Sequence, residues 1–551
     1  MNILRLYYVS AVILSLGGAT GCYHIQQAST PGSAVISVDD YRTHLEILSS
    51  DKFEGRLPAT LGEELTIAYL ADQFGAAGLL PANDESWFQE VPLVQIQPSF
   101  PAPLVVHAPD GEQELQLEGD YVAASGDIVE EVSLDKSELV FAGYGIVAPE
   151  YDWNDYAGLD VTGKAVLVLV NDPGYATQDP ALFNGNAMTY YGRYPYKYEE
   201  GARQGAAAVF VIHDTGPAGY PWAVIGSYAR ATYSKLDLIS DESNVEVEGW
   251  IKSRTVRQLM SDAGLEFDQL KQAASNSDFT GVPLNRSVSL TIRNDIARSM
   301  SHNVAAILPG SKRPEEVVVY MGHWDHLGMN SDLEGDKIFN GALDNASGTA
   351  GLLVLARTFA ALDQRPSRTI LFLAVTAEEQ GLLGSKYYVS DPLYPLGKTV
   401  AAINLDGMNL LGPMHDITLI GKGSSELDGY VTEAAARQER TVRPDSSPEK
   451  GFFYRSDQFN FAKHGVPSIY ISGGLDHVDH GVEWTREQKD IYTAQRYHAP
   501  SDEYDPEWDL RGTIDDLNLV FEVGQKLAKE THFPNWTEGN EFKAIRDSMM
   551  K

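Results

Sequence analysis

One cysteine in 551 residues means that no disulfide can form within the chain. Positive charge is scarce as well. Against 77 Asp and Glu there are 42 Lys and Arg, a formal charge of −35. Nucleic acid and anionic lipid surfaces repel such a polyanion, so neither is expected as a partner. Beyond the first twenty or so residues no apolar stretch is long enough to span a bilayer. There is no internal repeat and no low-complexity block. The apolar fraction, 43%, is ordinary for a globular protein, and the length allows several domains and a large core.

The cysteine's position is informative. Arg5 precedes an apolar run, Val9 to Leu16, and small residues lead on to Gly21 and Cys22. Charge, short apolar run and small residues are the parts of an export signal. A cysteine directly after them resembles the lipobox of bacterial lipoproteins, although Ala19 stands where leucine is usual. The expectation is removal of residues 1–21, lipidation of Cys22 and a polar tether over 22–38. That would make an exported, membrane-tethered envelope lipoprotein. Tyr23, where aspartate would signal inner-membrane retention, points to the outer membrane, facing the periplasm, with the cell surface or secretion as alternatives.

From residue 39 a helical period appears, with Ile67, Leu70, Ala71 and Phe74 on one face. Between about 97 and 297 short β-like runs alternate with Gly, Pro and Asn turns, and tyrosines are frequent. After about 303 the rhythm changes again. Apolar strands at Val317 to Met321, Thr369 to Val375, Val400 to Leu405 and Ser468 to Ile471 alternate with helices, one carrying Leu352, Leu355, Phe359 and Leu362 on a single face. Apolar strands separated by helices predict an α/β fold with a mostly parallel sheet covered on both faces.

The segments just beyond these strands carry the chemistry. "GHWDHLG" supplies His323, Asp325 and His326; "GALDNASG" supplies Asp344; "TAEEQG" supplies Glu378 and Glu379; "INLDGMN" supplies Asp406; "YHAPSDEYD" supplies His498. Ligands of open α/β sheets bind outside the carboxyl ends of the strands, so these groups are expected in one crevice. Several carboxylates in one crevice need a cation to hold them, and imidazole mixed with carboxylate suits zinc.

In order and context, His323-x-Asp325, Asp344-Asn345, Glu378-Glu379, Asp406 and His498 resemble the co-catalytic zinc aminopeptidases, family 28 of the metallopeptidases. The resemblance covers 39–96, which includes "LSSDKFEGR", and 298–535. The piece 97–297, with "FAGYGIVAPEYDWNDYAGLDVTGKAVLVLVNDPG", resembles an inserted protease-associated domain, and 536–551 is left as a tail. The resemblance implies a three-layer α/β/α zinc-peptidase domain, with a mostly parallel mixed sheet, plus a β-rich insert. It implies two Zn2+, one held by His323 and Asp406, the other by Glu379 and His498, with Asp344 bridging them. Asp325 would orient the His323 imidazole, and the Asp344–Asn345 peptide would be cis. Glu378 would be the general base that takes a proton from the attacking water, which explains why two glutamates stand side by side. Tyr454, in "FFYRSDQF", is a candidate oxyanion donor. His326 is read as a pocket or surface residue, His477, Asp479 and His480 as part of a substrate loop, and Asn303, Ser347 and Gly348 as structural.

The function so implied is exopeptidase action on the N-terminus of peptides. A carboxypeptidase or dipeptidase of the same fold is the alternative; it would need arginines forked onto a terminal carboxylate, and Arg455 is the candidate. A non-catalytic binding protein of this fold would lack ligands or base, and none is missing here. The tyrosine-rich stretch "NAMTYYGRYPYKYEEGARQG" is read either as a lid over the crevice or as a plain surface loop.

Overall fold

The structure is a computed structural model that describes residues 36–238 and 244–551. The export segment and Cys22 lie outside the described residues. Among those described, no helix is long and apolar enough to cross a membrane.

The described residues begin with helices α1 (Val38–Leu48) and α2 (Leu61–Ala76) and a long strand β1 (Phe88–Ser99). It then builds the inserted unit from β2 (Leu104–Ala108), β3 (Tyr121–Ser125), β4 (Glu131–Phe141), β5 (Ala165–Leu169), helix α3 (Tyr194–Arg203), β6 (Ala208–His213) and β7 (Val247–Lys252). Strand β8 (Val282–Leu308) leads back. The rest alternates: β9 (Arg313–His323), α4 (Ser347–Ala360), β10 (Arg368–Val375), β11 (Thr399–Asn404), β12 (Asp416–Ile420), β13 (Ser468–Gly473), then α5 (Gly481–Gln495), α6 (Arg511–Lys529) and α7 (Lys543–Met549).

Strands β10, β9, β11 and β13 pair in parallel in that order, and antiparallel β8 and β12 flank them. The result is the mostly parallel mixed sheet that the apolar strand pattern predicts. Every residue of β10 and β11 is buried. Alternation along β9 explains why both faces are apolar. Val318 and Tyr320 pack with α1, α2, α4 and α6, whereas Val317, Val319 and Met321 pack on the opposite side with Tyr388 and Phe461. The register pairs His323 with Val375 and Met321 with Asn404. The carboxyl ends of three central strands are therefore level, and the loops beyond them leave from one edge.

Two expectations about organisation change. The insert bounds of 97 and 297 fall inside strands rather than between elements. β1 and the 27-residue β8 run continuously across those positions as one antiparallel ribbon, and β8 goes on to pair with β4 in the insert and with β10 in the main sheet. Nor is 536–551 a loose tail. Trp536 and Phe542 are buried among insert and sheet residues, and the buried Arg546 guanidinium donates to the carbonyls of Thr399 and Val400. The tyrosine-rich stretch is neither a free lid nor a plain loop. Tyr190 packs its ring 4.9 Å from that of Phe459, and the Met188 amide donates to the Pro448 carbonyl. Burying aromatic area at this junction outweighs leaving it in water.

Trp536→Ala should therefore destabilise the whole chain by about 3–5 kcal/mol. A clear fall in the urea midpoint is expected; an unchanged midpoint would show that the segment does not hold the two parts together.

Candidate metal centre

Five loops deliver the site. His323 ends β9 and is fully buried. Its Nδ1 bonds the Asp325 main-chain carbonyl at 3.2 Å, which leaves Nε2 aimed into the crevice. Asp344 sits in the turn before α4, and its peptide bond to Asn345 is cis. Glu378 and Glu379 come after β10 through Ala377, which adopts a left-handed φ of 53°. Asp406 lies just beyond β11, and His498 lies beyond α5, with a φ of 55°. Left-handed backbone is uncommon for residues other than glycine, and here it aims side chains into the crevice.

Asp344 stands between the two imidazoles. Its Oδ1 is 3.3 Å from His323 Nε2, and its Oδ2 is 3.3 Å from His498 Nε2. Asp406 Oδ1 is 3.5 Å from His323 Nε2, and Glu379 Oε2 is 3.0 Å from His498 Nε2. Neither imidazole nitrogen makes a hydrogen bond, although carboxylate oxygens surround both. Buried polar atoms are normally hydrogen-bonded, so lone pairs and carboxylates that converge without bonding each other fit shared cations. Among the described residues, the groups of three side chains able to hold a metal within 4.8 Å of one another all fall here: His323 with Asp344 and Asp406, His323 with Glu378 and Glu379, and His326 with Asp344 and Glu379.

Electrostatics point the same way. Burial first, then Glu379, Asp406 and Asp457, push the Glu378 carboxyl well above the usual range, against the pull of His323. For His498 burial disfavours charge, but Asp344 and Glu379 outweigh it and raise the imidazole to about 10. The crevice thus demands positive charge beyond what its own side chains carry.

Asp325 acts differently from the expected orienter of His323. Its side chain is 3.7 Å from Nδ1, beyond hydrogen-bond reach. Its two oxygens instead accept the main-chain N–H groups of Glu378 at 3.1 Å and Glu379 at 3.4 Å, so it fixes the turn that bears both glutamates. Tyr454 does not join the cluster. Its hydroxyl donates to Glu541 at 2.9 Å and its ring lies in the aromatic junction with Tyr190 and Phe459, which corrects the oxyanion reading. Tyr497 is better placed, with its ring stacked on His498 at 3.9 Å. Burial, then Asp344, Glu379, Glu378 and Asp406, raises its phenol. His326 is a buried pocket residue whose Nδ1 lies 2.6 Å from Glu379 Oε1. His477 is engaged locally, with Nδ1 accepting from the Asp479 and His480 amides and Nε2 facing the Leu411 carbonyl.

Side chains behind the site hold these loops, and of them Arg56 and Asp502 were given no role by the sequence reading. The buried Arg56 guanidinium donates to the carbonyls of Trp324, Leu48, Asn340 and Gly341, tying the loop after β9 to the turn before Asp344. Asp502 accepts the amides of Leu343 and Asp344, at 3.2 and 3.1 Å. Asn345 donates to the Leu405 carbonyl and accepts from the Gly348 and Gly407 amides, joining the Asp344 and Asp406 turns. Gly348 permits this approach, since a Cβ there would meet the Leu405 carbonyl oxygen at 2.2 Å. Asn303 holds the next turn, accepting from Thr376 and donating to the Gly384 carbonyl. "YHAPSDEYD" did contain a signal for Asp502, an acid four residues beyond the ligand candidate His498. Arg56 closes the quoted "LSSDKFEGR", but nothing there reveals its role, since most of its partners lie 268 to 285 positions away.

Comparison with known proteins agrees with this geometry. Residues 303–521 match the model of Peptidase family M28. Aminopeptidase NAALADL1 of Mus musculus is 31% identical over 157 residues, 28% of this chain and 19% of that protein. A protein described as "Probable zinc metalloprotease" from Pyrenophora tritici-repentis (strain Pt-1C-BFP) is 40% identical over 213 residues, 36% of this chain and 46% of that one. The match thus spans less than half the length of either relative. Among solved structures, the aminopeptidase from Aneurinibacillus sp. strain AM-1 aligns over 90% of this chain and 95% of its own, at 19% identity and a TM-score of 0.47. Over residues 303–521, the stretch that bears every ligand candidate of the crevice, the chain is similar to peptidase family M28.

Proposed function

We propose that the chain is an exported zinc exopeptidase that removes residues from the N-terminus of peptides, with Glu378 as general base. The observation that carries this reading is the placing of the two Asp344 oxygens, one toward each unbonded imidazole nitrogen. His323 and Asp406 would hold one zinc, Glu379 and His498 a second, and Asp344 would be shared. Zinc, when bound, supplies a water acidic enough to ionise near neutral pH and a Lewis acid for the peptide carbonyl. Glu378, buried beside these groups, takes the proton of the attacking water and returns it to the departing amine. The Tyr497 hydroxyl at the rim is the candidate donor to the developing oxyanion. The acid-rich crevice suits the free ammonium of a peptide N-terminus. On this reading the insert is a protease-associated domain, and a lipid on Cys22 tethers the protein to the cell envelope.

Three measurements test it. A peptide with a free N-terminus should lose residues stepwise, whereas its N-acetylated twin stays intact, and a chelator should abolish the loss; release from the other end of both peptides would replace the reading with a carboxypeptidase. Glu378→Gln should keep its zinc and lose turnover by roughly 10²–10⁴-fold; loss of zinc together with turnover would sink the assignment of base and ligand. Asp502 touches no reacting group but holds two successive amides in the shared ligand's turn. Asp502→Ala should weaken zinc binding by roughly 10–100-fold, read by chelator competition; unchanged affinity would mean that the turn is held without it.

A further inference from the structure

His323, His326 and His498 all meet carboxylates of the crevice, but at two kinds of distance. Ligands bound to one tetrahedral zinc at about 2.0–2.2 Å stand about 3.3–3.6 Å from one another. The Nε2 atoms of His323 and His498 lie 3.0–3.5 Å from oxygens of Asp344, Asp406 and Glu379, close to that spacing, and neither makes a hydrogen bond. His326 Nδ1 lies 2.6 Å from Glu379 Oε1, too close for two ligands of one ion, and this contact is a hydrogen bond. An ionised carboxylate only accepts, so Nδ1 carries the proton and donates. Across the ring, Nε2 has no protein partner. The His326 side chain is fully buried, and its main-chain N–H donates to the Arg56 carbonyl at 3.3 Å. Gly341 makes room for the ring, since a Cβ there would stand 2.5 Å from its Cδ2. Glu379 is thus held at both ends. Asp325 accepts its main-chain N–H at 3.4 Å, and the adjacent His326 holds Oε1, which leaves Oε2 turned to His498 at 3.0 Å. The His326 ring also meets that of His498 edge-on at 5.8 Å, so both contacts go to candidate ligands of the same ion.

We infer that His326 is a positioning residue for the zinc beside Glu379 and His498: its Nδ1–H holds Glu379 Oε1, so that Oε2 is presented to the ion. This deepens the two-zinc part of the reading above and rests on it. A carboxylate on a freely turning side chain loses rotamer freedom when it takes up a metal, whereas one already locked by a buried hydrogen bond loses less. The effect is one-sided. The zinc beside His323 and Asp406 should not depend on His326.

The test is zinc titration of the full chain against a competing chelator, which reads the two binding steps, with diffraction at the zinc edge to show which position loses occupancy. His326→Leu fills the space without a donor. His326→Asn puts an amide N–H where Nδ1 stands, whereas the longer amide of His326→Gln reaches the place of Nε2. Leu and Gln should each weaken one step by roughly 10–100-fold and lower the occupancy beside Glu379 and His498 alone, and Asn should restore most of the loss. The contrast between Asn and Gln stands even where Leu disturbs packing, and a residue that merely fills space would not produce it. Equal weakening by all three variants, weakening by none, or a fall in both steps would overturn the inference. X-ray absorption that finds three imidazoles on the two zincs would do the same, since His326 would then be a ligand itself. A wild type that binds fewer than two zincs would overturn it together with the paired centre. Two zincs bound and affected as expected, with no peptide cut, would count against the peptidase reading alone.

Discussion

Repulsion among carboxylates is the constraint around which this molecule is arranged. Asp325, Asp344, Glu378, Glu379 and Asp406 converge at one edge of the sheet, buried or nearly so. At 4 Å and an effective dielectric of about 20, each like-charged pair costs about 4 kcal/mol. A few such pairs match the whole net stability of an ordinary domain, about 5–15 kcal/mol. The nearby cation Arg56 stands behind the site with its donors on main-chain carbonyls. Divalent cations among the carboxylates would resolve the conflict. The two unbonded imidazole nitrogens and the two-sided Asp344 mark where such ions fit.

Holding loops at that density takes bonds from far along the chain. Asp325 fixes the glutamate turn through two amides, Asn345 joins the Asp344 and Asp406 turns, and Asp502 clamps the former from beyond His498. The level ends of β9, β10 and β11 bring the loops to one edge, and these side chains then set their spacing. A ligand held within a few tenths of an ångström needs such support, because a metal rewards geometry more than proximity.

Much of this was legible in the sequence. Strands such as Thr369 to Val375 are apolar throughout because both faces are covered, and a charged residue after each strand marks the edge where ligands bind. The six principal site residues, His323, Asp344, Glu378, Glu379, Asp406 and His498, are indeed brought together. Tyr454 misled because the stretch "FFYRSDQF" does not reveal which way a ring points; its hydroxyl faces Glu541, 87 positions on. The same holds for the insert boundaries. Nothing local distinguishes a strand that ends at 297 from one that continues to Leu308 and changes partners on the way.

The insert is joined to the peptidase part by packing and by shared strands. Its ribbon is continuous with the main sheet, and its Tyr190 packs on Phe459. The paired cations remain the central claim. Anomalous diffraction at the zinc edge, from crystals grown with zinc, tests them directly. Two peaks about 3.5–4 Å apart are expected with Asp344 between them, one beside His323 and Asp406, the other beside Glu379 and His498. A single peak, or peaks elsewhere in the chain, would contradict the paired site.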